Sequence, residues 1–192
     1  VSRIENNFSA VDPSDPDSLL PIKEALTVEN YILVKPSEKV VFVEGITDYN
    51  YLTAFKKLLG KEGISFLPIN GVGRDENECT KISQRLMKIR KDAVILVDGD
   101  EAGQRMKNLN KDSDFIILSL GDVAAEFKTI ESLFAREDLE QFGLLDTDGN
   151  FVKHASTSTV FKNQILKNKD VISDTTKANF EKLFAKFEEE LS

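Results

Sequence analysis

Apolar residues recur along this chain first as short unbroken runs and then at helical spacing, several times over. Residues 40–43 form a continuous apolar run, the pattern of a strand buried on both faces. Thr47 is then placed to cap a helix reaching about residue 59. Its inner face would carry Tyr51, Leu52, Phe55, Leu58 and Leu59, and Gly60 and Gly63 would end it. Residues 64–69 predict a second strand, 70–73 (Asn-Gly-Val-Gly) a loop, and 75–90 a helix with Ile82, Leu86 and Ile89 at helical spacing. A third strand over 93–97, a helix over 101–109 and a fourth strand over 115–118 follow. Strand–helix alternation with short connections implies right-handed crossovers and a parallel sheet. The expected fold class is therefore α/β, a Rossmann-like central parallel sheet flanked by helices.

The ends of the chain are less regular. Residues 12–18 (Asp-Pro-Ser-Asp-Pro-Asp-Ser) read as a turn-rich linker, with a short helix over 20–26 after it. Beyond Leu120 the pattern loosens. A short helix is expected over 129–134, a hairpin over 143–152 turning at Asp148-Gly149, and two closing helices over 157–167 and 175–191. The last of these has Phe180, Leu183, Phe184, Phe187 and Leu191 along one stripe, which reads as core rather than as a base-stacking platform.

Composition narrows the chemistry. The 192 residues suffice for one α/β domain with a helical appendix. No run approaches the roughly 20 apolar residues of a membrane span, and no charged-then-apolar leader opens the chain. The first residue is Val1, so the chain reads as an excised fragment lacking upstream sequence. Cys79 is the only cysteine, which precludes an intrachain disulfide and fits a reducing, cytoplasmic setting. His154 is the only histidine. A zinc site of His and Cys is nearly excluded, and a Ser-His-Asp triad would have to run through a polar segment without a nucleophile elbow. Carboxylates, hydroxyls and lysines remain.

The net charge of −8 argues against a nucleic-acid partner unless several acids share one site and hold cations. Two acidic motifs fall where such a site would form, since ligands of a parallel sheet bind beyond the carboxyl ends of its strands. Val43-Glu44-Gly45-Ile46-Thr47-Asp48 follows the first strand, with Gly45 expected to let the backbone turn sharply and Asp48 in the first helical turn. Asp98-Gly99-Asp100-Glu101-Ala102-Gly103 follows the third. Capping alone would account for Thr47, Asp48 and Asp100 singly. Glu44, at the end of a buried strand, needs a partner. Clustered carboxylates repel unless cations hold them, and hard oxygen donors suit Mg²⁺ or Mn²⁺.

The pairing of these motifs resembles the Toprim domain shared by topoisomerases, bacterial primases and several nucleases, in which a glutamate follows the first strand and an Asp-x-Asp the third. Glu44, Asp98 and Asp100 match those positions. The finer resemblance is to the overcoming-lysogenisation-defect (OLD) family, which joins an N-terminal ATPase to a C-terminal Toprim nuclease. Asp48, four residues after Glu44, looks like that family's second acid. Thr129-Ile130-Glu131 looks like its hydroxyl-x-Glu element, supplying further metal ligands. Asp15-Pro-Asp-Ser-Leu-Leu-Pro-Ile-Lys-Glu-Ala-Leu26 is similar to the segment leading out of the ATPase.

The resemblance covers about residues 12–135 and implies a division at 1–36 (lead-in), 37–140 (Toprim) and 141–192 (hairpin and helical extension). It implies a DNA endonuclease using two Mg²⁺ or Mn²⁺ ions, DNA as partner, the upstream ATPase part, and room for a homodimer through that part. The metal ligands would be Glu44, Asp48, Asp98, Asp100, Thr129 and Glu131. The catalytic set would be Glu44, Asp98, Asp100 and a lysine, Lys153 by preference or Lys162.

Other features carry less. Asp146-Thr147-Asp148-Gly149-Asn150 has its glycine at the fourth rather than the sixth position of a calcium loop and no glutamate at the twelfth, so it reads as a turn. Two glycines in residues 70–73 are weak support for a phosphate loop. Lys81, Arg85, Lys88, Arg90 and Lys91 form the most basic stretch, a solvated face or a rest for a DNA backbone. A phospho-acceptor receiver would want adjacent acids after the first strand, where Glu44 is followed by Gly45. A topoisomerase needs a nucleophilic tyrosine, and Tyr31, Tyr49 and Tyr51 lack that setting. A primase remains an alternative, as does a non-enzymatic acidic-pocket signalling or interaction module; the intact acidic set argues against a Toprim domain that binds without cutting.

Overall fold

The computed structural model describes residues 37–69, 71–113, 115–152, 154–168 and 171–192. Strands β1 (Lys39–Val43), β2 (Ile64–Pro68), β3 (Val94–Val97) and β4 (Ile116–Ser119) alternate with helices α1 (Ile46–Leu58), α2 (Glu76–Ile89) and α3 (Glu101–Leu109). All three strand pairings are parallel, in the order β2-β1-β3-β4. The apolar runs of β1 and β3 are buried throughout Val40–Val43 and Val94–Val97 because both sheet faces are covered. Val41, Val43, Phe66, Val94 and Leu96 share one core with α1 and the C-terminal helices. The alternate residues Val40, Phe42, Ile95 and Val97 point to the opposite face, where right-handed crossovers place α2 and α3.

The later elements are α4 (Leu120–Val123), a 3-10 turn (Ile130–Leu133), α5 (Arg136–Gln141), α6 (Ala155–Lys167) and α7 (Asp174–Glu190). Helix α6 lies along α1, and α7 buries Phe180, Leu183, Phe184 and Phe187, as its stripe predicts. Phe55 of α1 stacks on Phe180 of α7 with ring centroids 3.6 Å apart; Phe134 packs against both rings and Phe161 against Phe55. Among the described residues, no helix is long and apolar enough to cross a membrane.

Several local expectations are corrected. The cap of α1 is Gly45 rather than Thr47, which lies inside the helix. The buried face of α2 runs through Cys79, Ser83 and Leu86, with Ile82 and Ile89 only half-buried. Residues 129–134 form a 3-10 turn instead of an α-helix. The hairpin shrinks to a single antiparallel bridge, Leu145 to Phe151. The Asp146 carboxylate accepts from the Asp148 and Asn150 amides at 2.9 and 2.8 Å, taking donors that a longer ladder would use. The linker at 12–18 and the helix at 20–26 lie outside the described residues.

The C-terminal layer has a polar anchor. Asp138 of α5 is 1% exposed. Its carboxylate accepts from the Ser173 amide at 3.2 Å, the Ser173 hydroxyl at 2.6 Å and the Thr176 hydroxyl. Ser173 in turn caps α7 by accepting from the Thr176 amide. Asp138→Ala would take the acceptor from the buried Thr176 hydroxyl and from the half-buried Ser173 amide. The expected loss is about 3 kcal/mol, the range for hydrogen bonds to a charged group. It would be read as a lower urea midpoint at unchanged slope, and an unchanged midpoint would show the anchor to be dispensable.

Candidate metal centre

The connections leaving β1 and β3 diverge: β1 leads through α1 to β2 on one side, and β3 through α3 to β4 on the other. Such a divergence between neighbouring strands opens a crevice at their carboxyl ends. Glu44 and Asp98 are the first residues beyond these two strands. Glu44 Oε1 accepts from the Asp98 amide at 2.8 Å, so the glutamate reaches across the seam to the aspartate motif. Asp48, in the first turn of α1, accepts from the Gly45 amide at 2.8 Å, which orients it back toward Glu44. Gly45 itself has extended backbone (φ −143°), which any residue adopts, so the sharp turn expected of it is not what it supplies.

The glycines of the second motif are demanded by close approach. A Cβ on Gly103 would lie 2.1 Å from the Asp98 carbonyl oxygen and 3.0 Å from Val97 Cγ2. One on Gly99 would lie 2.6 Å from the Phe127 carbonyl oxygen. Bare backbone at these positions lets the first turn of α3 press on the end of β3, and lets residues 127–128 dock beside it. The docking is fixed by Gly99 N–H, which donates to the Lys128 carbonyl at 2.7 Å. Asp100 caps α3, accepting from the Gly103 amide at 2.9 Å. The Ser119 hydroxyl, fully buried at the end of β4, donates to the Asp98 carbonyl at 3.3 Å.

This docking sets Lys128, and with it the start of the turn that carries Thr129 and Glu131, beside Gly99. Glu131 is 2% exposed, where an exposed helix residue would be open to water. Thr129 Oγ1 is buried without a hydrogen-bond partner, and so is the Tyr51 hydroxyl. Burial pushes the Tyr51 hydroxyl well above its ordinary pKa, and the Glu131 and Asp48 carboxylates push it in the same direction. Sequence reading missed Tyr51 as a polar neighbour of the acids and took it for core alone. Its place one helical turn after Asp48 was the available signal.

Among the described residues, no three Asp, Glu, His or Cys side chains are already gathered into a cage for one ion. Glu44, Asp48 and Asp100 each turn an oxygen to a backbone amide instead. The donor set nevertheless fits a hard divalent cation. It consists of carboxylates with a buried hydroxyl lacking a partner, while the softer candidates are elsewhere: His154 is exposed at the start of α6 and Cys79 is buried under α2.

Of the two candidate lysines, Lys153 lies outside the described residues. Lys162 on α6 donates to Asn50 Oδ1 at 2.6 Å and sits 5.3 Å above the Tyr49 ring. Asn50 is buried and donates in turn to the Ser158 and Thr159 hydroxyls, so the ammonium is held beside the second turn of α1. Burial lowers the Lys162 pKa, helped by the charge of Lys57. Asn50 was not legible from sequence as a residue that holds this lysine.

Comparisons of the chain with protein-family models, with curated proteins and with solved structures gave no match.

Gly71 and Gly73 have φ of 94° and 97°, and the Gly71 amide donates to the Glu44 carbonyl, so this loop is a tight turn rather than an open phosphate cradle. A cavity of about 440 Å³ is lined by Arg136, Glu140 and residues 145–149, and none of the strand-edge acids lines it. Lys81, Arg85 and Lys88 are exposed at i, i+4 and i+7, one outward stripe of α2.

Proposed function

We propose that this chain is a divalent-metal-dependent endonuclease acting on DNA, a Toprim-type catalytic part similar to that of OLD-family ATPase-nucleases. The observation that carries this reading is the Glu44 carboxylate bonded to the Asp98 amide across the diverging connections, with Asp100 two residues on and Glu131 buried in the turn after Lys128. Glu44, Asp98 and Asp100 would hold one ion, and Thr129 and Glu131 a second, with Asp48 next to Glu44. A pair of Mg²⁺ or Mn²⁺ ions so placed would activate water and stabilise the attacking and leaving oxygens of a phosphodiester.

The protein's own part is to orient these donors on rigid strand ends and helix starts and to bring cationic side chains to the substrate. Lys153 or Lys162 would meet the phosphate; Lys162 is held by Asn50. The exposed stripe of Lys81, Arg85 and Lys88 would offset, locally, the net charge of −8. An upstream ATPase part as partner, a homodimer through it and a cytoplasmic location belong to the same proposal.

The deciding experiment incubates the chain with supercoiled and linear DNA, with Mg²⁺, with Mn²⁺ and with EDTA. Nicking or cutting that requires the metal is expected. Intact DNA under all conditions would overturn the reading.

A further inference from the structure

Buried polar side-chain atoms are almost always hydrogen-bonded, because desolvation without a partner costs free energy. Among the described residues, two such atoms stand without one, the Tyr51 hydroxyl and Thr129 Oγ1. Both belong to the surroundings of a single carboxylate. Thr129 precedes Glu131 by two residues, at the N-cap of the 3-10 turn. The Tyr51 ring packs edge-on against Phe134, three residues beyond Glu131, with centroids 5.0 Å apart, and against Phe161 at 5.2 Å. Tyr51 also lies three residues after Asp48 on α1, so the two share one face of the helix. Tyr51 is 0% exposed and Glu131 2%. A phenol hydroxyl can donate one bond, whereas an ionised carboxylate can only accept. An unused donor therefore lies in the same buried neighbourhood as a carboxylate that can accept from it.

We propose that Tyr51 is a positioning residue of the metal centre: its hydroxyl donates to the Glu131 carboxylate when that group turns to hold a divalent cation, leaving the second carboxylate oxygen for the ion. The inference rests on the metal-dependent reading above. A phenol ordinarily titrates at about 10, so the donor persists across the neutral range. A donor behind a ligating carboxylate fixes its orientation, and removing such a partner typically weakens metal affinity about ten- to a hundredfold. If the hydroxyl were mere packing, phenylalanine would serve equally, because the edge contacts to Phe134 and Phe161 involve only the ring.

The test is the full chain carrying Tyr51→Phe, compared with wild type in two measurements. In EDTA the melting temperature of the variant should equal or slightly exceed that of wild type, since no bond is lost. In a titration with Mn²⁺ alone, followed by electron paramagnetic resonance, affinity should fall about tenfold or more. A variant that binds Mn²⁺ as tightly as wild type would overturn the role of Tyr51 and leave the metal centre standing. Wild type that binds no Mn²⁺ would overturn both. A melting temperature in EDTA lower by many degrees would show the hydroxyl to be bonded within the metal-free fold, and would overturn the proposal as well.

Discussion

Glu131→Gln should reduce metal-dependent nicking of supercoiled DNA by about a hundredfold or more while leaving the metal-free fold intact. The substitution keeps the shape of a side chain that is 2% exposed, so the burial of its chain neighbours Ile130 and Leu133 persists. What it removes is a negative charge in a water-poor place, where a preorganised electrostatic group contributes most; loss of one such group typically costs about 10²–10³ in rate. Glu131 and Asp48 both act on the Tyr51 hydroxyl, so the two carboxylates share one neighbourhood. Neutralising one of them relieves repulsion, and the melting temperature in EDTA should hold or rise. A Glu131→Gln protein that nicks at the wild-type rate in Mg²⁺ would make Glu131 a structural residue, and the assignment of Thr129 as its neighbouring ligand would fall with it.

The second large effect is on stability. Gly103→Ala should cost about 3 kcal/mol or more, at the upper end of what overpacking does. The new Cβ would lie 2.1 Å from the Asp98 carbonyl oxygen, which is backbone and cannot swing away. That carbonyl is also where the Ser119 hydroxyl donates, so relief by shifting the end of β3 would break a buried bond to β4. Moving α3 outward instead would open the contact over Val97 Cγ2. Urea denaturation would read the loss as a lower midpoint, and the acids on either side of the clash would lose their alignment with it. A Gly103→Ala chain as stable as wild type would contradict the close approach of α3 to β3.

These two positions show what a sequence discloses and what it withholds. The strands and the helices α1 to α3 were legible, because burial on both sheet faces imposes unbroken apolar runs and an amphipathic helix imposes its period. The stripe of α7 was legible for the same reason. The acids Glu44, Asp98 and Asp100 could be placed at one edge because a parallel sheet ends all its strands together. The reason for Gly99 and Gly103 was not readable. It lies in carbonyls that approach only after folding, from Phe127 in one case and from the end of β3 in the other. Tyr51, Asn50 and Asp138 look like ordinary helix residues until the C-terminal half packs against α1 and supplies their surroundings. The short helices α4 and α5 have too few residues for a period to show. The turn at 129–134 is tightened by Ser132, whose hydroxyl accepts from the Lys128 and Thr129 amides, a local bond that competes with α-helix.

The stacking of Phe55 on Phe180 joins positions 125 apart in the chain (180 − 55). The sheet face behind α1 therefore stays wet during synthesis until nearly the last residues of α7 have left the ribosome. Local helices can form early, but the nucleus that closes this layer must wait for a long loop to be drawn shut, and long-range closure is the slow kind. In that interval Phe55, Phe66 and Phe161 stand open together, and the nascent chain passes through a sticky state until α7 packs over them.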